Sequence, residues 1–182
     1  PDGGPGVTVP GSGPGGETNA ENPVVEVTPP AGETGGHAEC KIVGVDSDYN
    51  GEFADFTEVD SPWTLPALPE GTYKIVCHWV DAAGNAGPDT EYTLVIDRTA
   101  PSAPSVSGPE GPTNDTTPPI TVETTEPGGT IECRLDGGDW QTAAASFDAP
   151  ELEDGTHTID CRQTDAAGNE STLSAPLSVT VV

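Results

Sequence analysis

The chain has 182 residues, with 23 Gly, 20 Pro and 31 Asp and Glu against only 5 Lys and Arg, for a formal net charge of −26. A surface this acidic repels nucleic acid and anionic membranes. Frequent Gly and Pro cut the chain into short runs rich in Val, Ile and Thr, with no long helical period, so the expected class is all-β: a sandwich of short strands rather than a disordered chain.

Residues 1–22 read as a Gly/Pro-rich arm in which Val7 and Val9 form a degenerate first strand. VVEVT (24–28), KIVGV (41–45), YKIVCHWV (73–80) and EYTLVI (91–96) follow as strands, and ITVET (120–124) and LSVTVV (177–182) repeat the pattern further on. The repetition is close. GGHAECKI (35–42) matches GGTIECRL (128–135), EGTYKIVC (70–77) matches DGTHTIDC (154–161), and TNAENPVVEV (18–27) matches TNDTTPPITV (113–122). Two tandem units are therefore expected, 1–97 and 98–182, each large enough for its own core. In the second, strands are expected near 103–107, 119–125, 130–136, 140–147, 156–164 and 174–182.

Alternation assigns the faces. Ile131, Cys133 and Leu135 share one face and Glu132 and Arg134 the other; Ile159 and Cys161 oppose Asp160 and Arg162. Cys40 and Ile42, and Ile75, Cys77 and Trp79, follow the same rule in the first unit. The four Cys fall two per unit at matching inward positions, which points to one disulfide per unit and an oxidising compartment. A metal site of His37, Cys40, Cys77 and His78 is the rival reading. Adjacent strand residues such as Cys77 and His78 point apart, and the second unit keeps both Cys without those His.

The run GGTIECRLDGGDW, then LEDGTHTIDCRQTDAAGNES, then PLSVTVV resembles the bacterial immunoglobulin-like (Big-type) tandem repeats of large secreted surface and adhesin proteins. VIDRTAPSAP (95–104) resembles the junction between their successive copies. The resemblance covers both units. It implies two immunoglobulin-like β-sandwich domains in an elongated tandem, used as a spacer or adhesive module, with calcium stiffening the joints. In such a sandwich the third and sixth strands are neighbours, so Cys40–Cys77 and Cys133–Cys161 would be cross-strand links. The cysteine pair and the longer stretch 41–76 depart from the family pattern.

DAAGN occurs twice, at 81–85 and 165–169. One reading is a turn, with Asp capping backbone N–H groups and Gly at positive φ. The other is a Ca²⁺ site at the joint, built from Asp97, Glu126, Asp165 and Asn169, with Asp81 and Asn85 as a weaker copy completed by Asp2. DSDYNG (46–51) offers a further calcium candidate through Asp46, Asp48 and Asn50; the competing reading is a hairpin turning at Asn50-Gly51. No catalytic motif occurs. His37, His78 and His157 read as isolated, exposed strand residues. Trp63, Trp79 and Trp140 read as core, with Trp63 partly exposed; the competing reading is a sugar-binding platform.

These features point to a non-enzymatic extracellular module at a cell surface, part of a stalk or adhesin. Its partners would be neighbouring copies or flanking domains of a surface protein, with any export signal outside these residues. Alternatives are a repeating subunit of an extracellular filament or virion surface, and an accessory carbohydrate-binding module of a secreted hydrolase.

Overall fold

In VVEVT, Val25 and Val27 are buried while Val24, Glu26 and Thr28 face outward, the period-2 signature of a strand lying on a core. The same logic runs through the whole computed structural model, which describes residues 3–46 and 48–182. The chain divides into two units, Pro1–Arg98 and Thr99–Val182.

Unit 1 contains β1 (Gly6–Thr8), β2 (Glu17–Thr18), β3 (Val24–Thr28), β4 (His37–Gly44), β5 (Thr57–Val59), β6 (Trp63–Thr64), β7 (Gly71–Val80) and β8 (Thr90–Ile96). One sheet has the order β1-β3-β6 and the other β2-β8-β7-β4-β5. Their inner faces enclose a core centred on Val25, Ile42, Leu65, Ile75, Leu94 and Ile96. The N-terminal arm belongs to this unit. Val7 lies opposite Val27 in β3, and Glu17 and Thr18 run parallel to Val95 and Ile96 in β8.

Unit 2 contains β9 (Ser105–Ser107), β10 (Pro119–Glu123), β11 (Thr130–Leu135), β12 (Gln141–Ala143), β13 (Ser146–Asp148), β14 (Gly155–Thr164) and β15 (Leu177–Val181). Its sheets, β13-β10-β9 and β12-β11-β14-β15, repeat the order of unit 1. A parallel bridge from Thr113 to Val181 stands where β2 meets β8.

Both cysteine pairs are disulfides. Cys40 lies directly opposite Cys77, and Cys133 opposite Cys161, with Cα–Cα separations of 4.2 and 4.1 Å. Such closeness fits a non-hydrogen-bonded antiparallel pair. Accordingly, Cys161 directs its N–H to Ser174 Oγ and its carbonyl accepts from Ser174 N, both away from β11.

Three expectations need correction. The single strand over 140–147 is two strands: β12 pairs with β11 in one sheet, and β13 pairs with β10 in the other. The chain changes sheets at residues 144–145, a crossing that alternation alone does not reveal. The last strand begins at Leu177 rather than 174, because residues 171–176 satisfy β14 through isolated bonds such as Ser171 N to Gln163 O. The hairpin at Asn50-Gly51 does not form. That turn needs positive φ at both central residues, and neither has it. Instead β4 ends at Gly44, and residues 48–56 fold back so that Phe53 packs on Trp63, with ring centroids 4.8 Å apart. In unit 2 the hairpin does occur. Asp136 and Gly137 have φ of 49° and 72°, and Gly138 N donates to Leu135 O at 2.9 Å.

Candidate functional site

Each DAAGN follows the long central strand of its unit and closes on itself. Asp81 Oδ1 accepts the N–H of Ala83 at 2.8 Å and of Asn85 at 2.9 Å, and Asn85 Nδ2 donates to Oδ2 at 3.0 Å. Asp165 repeats this: Asn169 N donates to Oδ1 at 2.8 Å and Asn169 Nδ2 to Oδ2 at 2.9 Å. In return each Asp N–H donates to the carbonyl of its Asn at 3.0 Å. Gly84 and Gly168 take φ of 88° and 94°, where a side chain would be strained. Donation by the Asn85 side chain, then by its backbone, holds the Asp81 carboxyl below its usual value of 3.8.

The other repeated word, GGxxEC, packs against this turn. A Cβ at Gly36 would collide with the carbonyl of Val80, and one at Gly129 with that of Thr164, the residues just before Asp81 and Asp165. The two repeated motifs are thus two halves of one structural contact, which explains why both recur.

A DAAGN turn alone does not suit calcium. It offers one carboxylate whose two oxygens already accept N–H groups, whereas Ca²⁺ takes six to eight oxygens. Glu126 lies exposed after β10. Asp97 belongs to the other unit. In DSDYNG, Asp46 Oδ2 accepts Thr72 N at 2.9 Å, while Asp48 and Asn50 are exposed. Asp2 and Ser47 lie outside the described residues. Among the described residues, no group of three or more His, Cys, Asp or Glu is arranged to hold a metal ion.

The outer faces of the central strands carry the charged chemistry. In unit 1, His78 is buried, with Nδ1 3.0 Å from Asp89 and Nε2 3.2 Å from Glu39; Glu39 also lies 3.4 Å from His37. Contact with His78 is the main cause holding the Glu39 carboxyl below its ordinary value. Phe56 from the 48–56 segment covers this histidine at 4.2 Å, and Lys41 lies 4.4 Å over Phe56. In unit 2 the equivalent cross-strand pair is Glu132 and Arg162, 2.9 Å apart. Arg162 also pairs with Glu170 at 2.8 Å, and Arg134 with Asp160 at 3.3 Å. Trp140 meets both guanidiniums, with the Arg134 Cζ 4.7 Å and the Arg162 Cζ 4.4 Å from its ring centroid. Trp140 is therefore outside the core, held by cation–π stacking on the polar face. Trp63, expected to be partly exposed, is buried.

Neither His78 nor His157 is isolated, contrary to the sequence expectation. Tyr73 donates its hydroxyl to Pro69 O at 3.0 Å, locking the chain as it enters β7. His157 occupies the matching position and does the same through Nε2 to Glu153 O at 3.0 Å, while Nδ1 meets Asp136 Oδ2 at 2.8 Å. With both ring nitrogens facing acceptors, the protonated form is favoured, and the hydrogen bond to Asp136 raises the His157 pKa above 6.5. The same bond lowers the Asp136 carboxyl below 3.8. Burial raises the Tyr73 phenol above 10.0. The signal for this corner was present in the aligned pair EGTYKIVC and DGTHTIDC, where one aromatic ring with a polar tip replaces another.

No helix is long and apolar enough to cross a membrane among the described residues. No curated protein matches the chain in sequence. Among solved structures, the fibronectin(III)-like modules of Clostridium thermocellum CbhA align over 97% of this chain and 93% of that one, at 18% identity and a TM-score of 0.53. The FN1-FN3 domains of chicken CNTN1 align over 98% of this chain and 66% of that one, at 14% identity and a TM-score of 0.55. At such identities the likeness is one of fold, and it agrees with two β-sandwich units. Residues 100–181 match the family model described as bacterial Ig-like domain. The match spans nearly all of unit 2, Thr99–Val182.

Proposed function

We propose that the chain is a non-enzymatic, extracellular structural or adhesive module, a spacer segment of a bacterial surface protein. The observation that carries this reading is the pair of cystines set at the same register in both units. Disulfides persist in oxidising compartments, and the likeness of residues 100–181 to a bacterial Ig-like domain supports the same reading. The charged side chains fit the same role. On the outer faces they pair across neighbouring strands, so they act as crosslinks of the sheet. Flanking domains or neighbouring copies are the partners this role requires.

Protease shaving of intact cells that make the protein, followed by mass spectrometry, tests the reading. Release of peptides from both units without cell lysis is expected. Recovery only after lysis, with free thiols, overturns it. Calcium at the joint is a separate proposal, resting on Asp97, Glu126, Asp165 and Asn169, and calorimetry with Ca²⁺ tests it directly.

A further inference from the structure

The repeat supplies its own control for one cavity. In unit 1 the core edge formed by Ile42, Trp63 and Ile75 is closed by the 48–56 segment. Phe53 stacks on Trp63 at 4.8 Å, its carbonyl accepts Ile42 N at 2.7 Å, and Tyr49 meets Tyr73 edge-on at 6.4 Å. Unit 2 has no such segment, because a tight turn at Asp136-Gly137 replaces it. The equivalent residues are Leu135, Phe147 and Ile159: Phe147 lies opposite Ile120 as Trp63 lies opposite Val25. With Cys133 they line an open cavity of about 630 Å³, in the size range of ligand pockets.

The rim carries two carboxylates. Asp139 and Asp148 are exposed and have no ion-pair or hydrogen-bond partner among the described residues. Arg134 also lines the cavity, but its guanidinium is engaged by Asp160 and Trp140. An apolar floor shaped like the one that Phe53 covers, with two unpaired carboxylates above it, is complementary to an aromatic side chain flanked by a cation. The acidic native segment of unit 1, with Asp46, Asp48, Glu52 and Asp55, lacks that complement.

We propose that this groove, between edge strands β12 and β13 of unit 2, docks a basic, aromatic-bearing peptide segment of a partner protein. The inference stands whether or not the chain works as a spacer. The probe is a labelled peptide with the sequence of residues 45–56 in which the four acids are replaced by Lys, titrated with the whole chain and followed by anisotropy. Saturable binding is expected. Asp148→Lys, an exposed change, and Ala144→Trp, which fills the groove, should each weaken it by at least about tenfold. A second peptide with Ser in place of Tyr and Phe should not bind. Equal binding of that second peptide would reduce the effect to general charge attraction and overturn the proposal. Unchanged binding by well-folded Asp148→Lys protein would do the same. Concentration-dependent dimers that Ala144→Trp abolishes would assign the groove to a second copy instead.

Discussion

The two units share a sheet order, a cystine register and an aspartate turn, yet their cysteines are 37 residues apart in one and 28 in the other, a difference of nine. Those extra residues in unit 1 are spent on its edge. They bring Phe53 and Tyr49 onto the core and Phe56 onto His78. Unit 2 closes the same stretch with a minimal hairpin, leaves its core edge open, and covers its outer face with an Arg–Trp–Arg stack. One framework thus accepts two solutions to the same packing problem, and the solutions lie at the edge strands where the two sheets part.

The strongest way to break this equivalence is to remove the cystines one unit at a time. From loop lengths of 37 and 28 residues, each contributes about 3.6–3.8 kcal/mol by chain entropy. Cys133→Ala/Cys161→Ala should lower the melting temperature of unit 2 more than Cys40→Ala/Cys77→Ala lowers that of unit 1, because unit 2 has the smaller core. Differential scanning calorimetry of both variants measures this, and equal shifts would contradict the ranking. Non-reducing peptide mapping should recover only the two intra-unit links.

Phe53→Ala should convert the edge of unit 1 into that of unit 2, at a cost of about 2 kcal/mol for a partly buried ring. Urea denaturation gives the value, and a loss below about 0.5 kcal/mol would mean the segment is only draped over the core.

The Tyr73/His157 difference predicts a pH response at this corner of unit 2 that the same corner of unit 1 lacks. The His157 pKa is raised on folding, so its stabilisation is fully present below about 6.5 and is lost as pH rises through the elevated value. Asp136 is lowered, so its contribution is present above about 3.8 and disappears as pH falls through the depressed value. His157→Tyr should flatten the alkaline limb of the melting temperature profile, and an unchanged profile would remove His157 from the explanation.

The smallest effect is expected at DAAGN. Asp165→Ala should cost unit 2 about 1 kcal/mol through lost turn hydrogen bonds. If the turn acts alone, Ca²⁺ will change neither wild-type nor variant; a calorimetric heat that Asp165→Ala abolishes would favour the joint calcium proposal.

Much of this was legible from the residues. The duplicated words located the two units, and alternation placed Cys40, Cys77, Cys133 and Cys161 inward on what proved to be adjoining strands. What stayed hidden has a common cause. A period of two reports which face a residue takes, not which sheet its strand joins, so residues 140–147 read as one strand. Parity likewise says that Arg134 and Arg162 point outward, but not that Trp140 folds back onto both of them. Asn50-Gly51 is a strong local turn signal, yet burying Phe53 on Trp63 outweighed it. The aspartate turn was readable as a turn because its hydrogen bonds are local.

The cystines also govern how each unit responds to tension. A linkage between residues 40 and 77, or 133 and 161, keeps the enclosed chain from extending even when every strand has separated. At about 3.4 Å per residue, the 37 and 28 residues so enclosed withhold about 125 Å and about 95 Å of slack. Outside the loops, the parallel contact of β2 with β8 joins the start of unit 1 to its last strand. A pull along the chain therefore loads that contact in shear before it reaches the central strands. Under load the cystines thus hold back about a third of the chain, in two bounded loops, while the rest is free to extend.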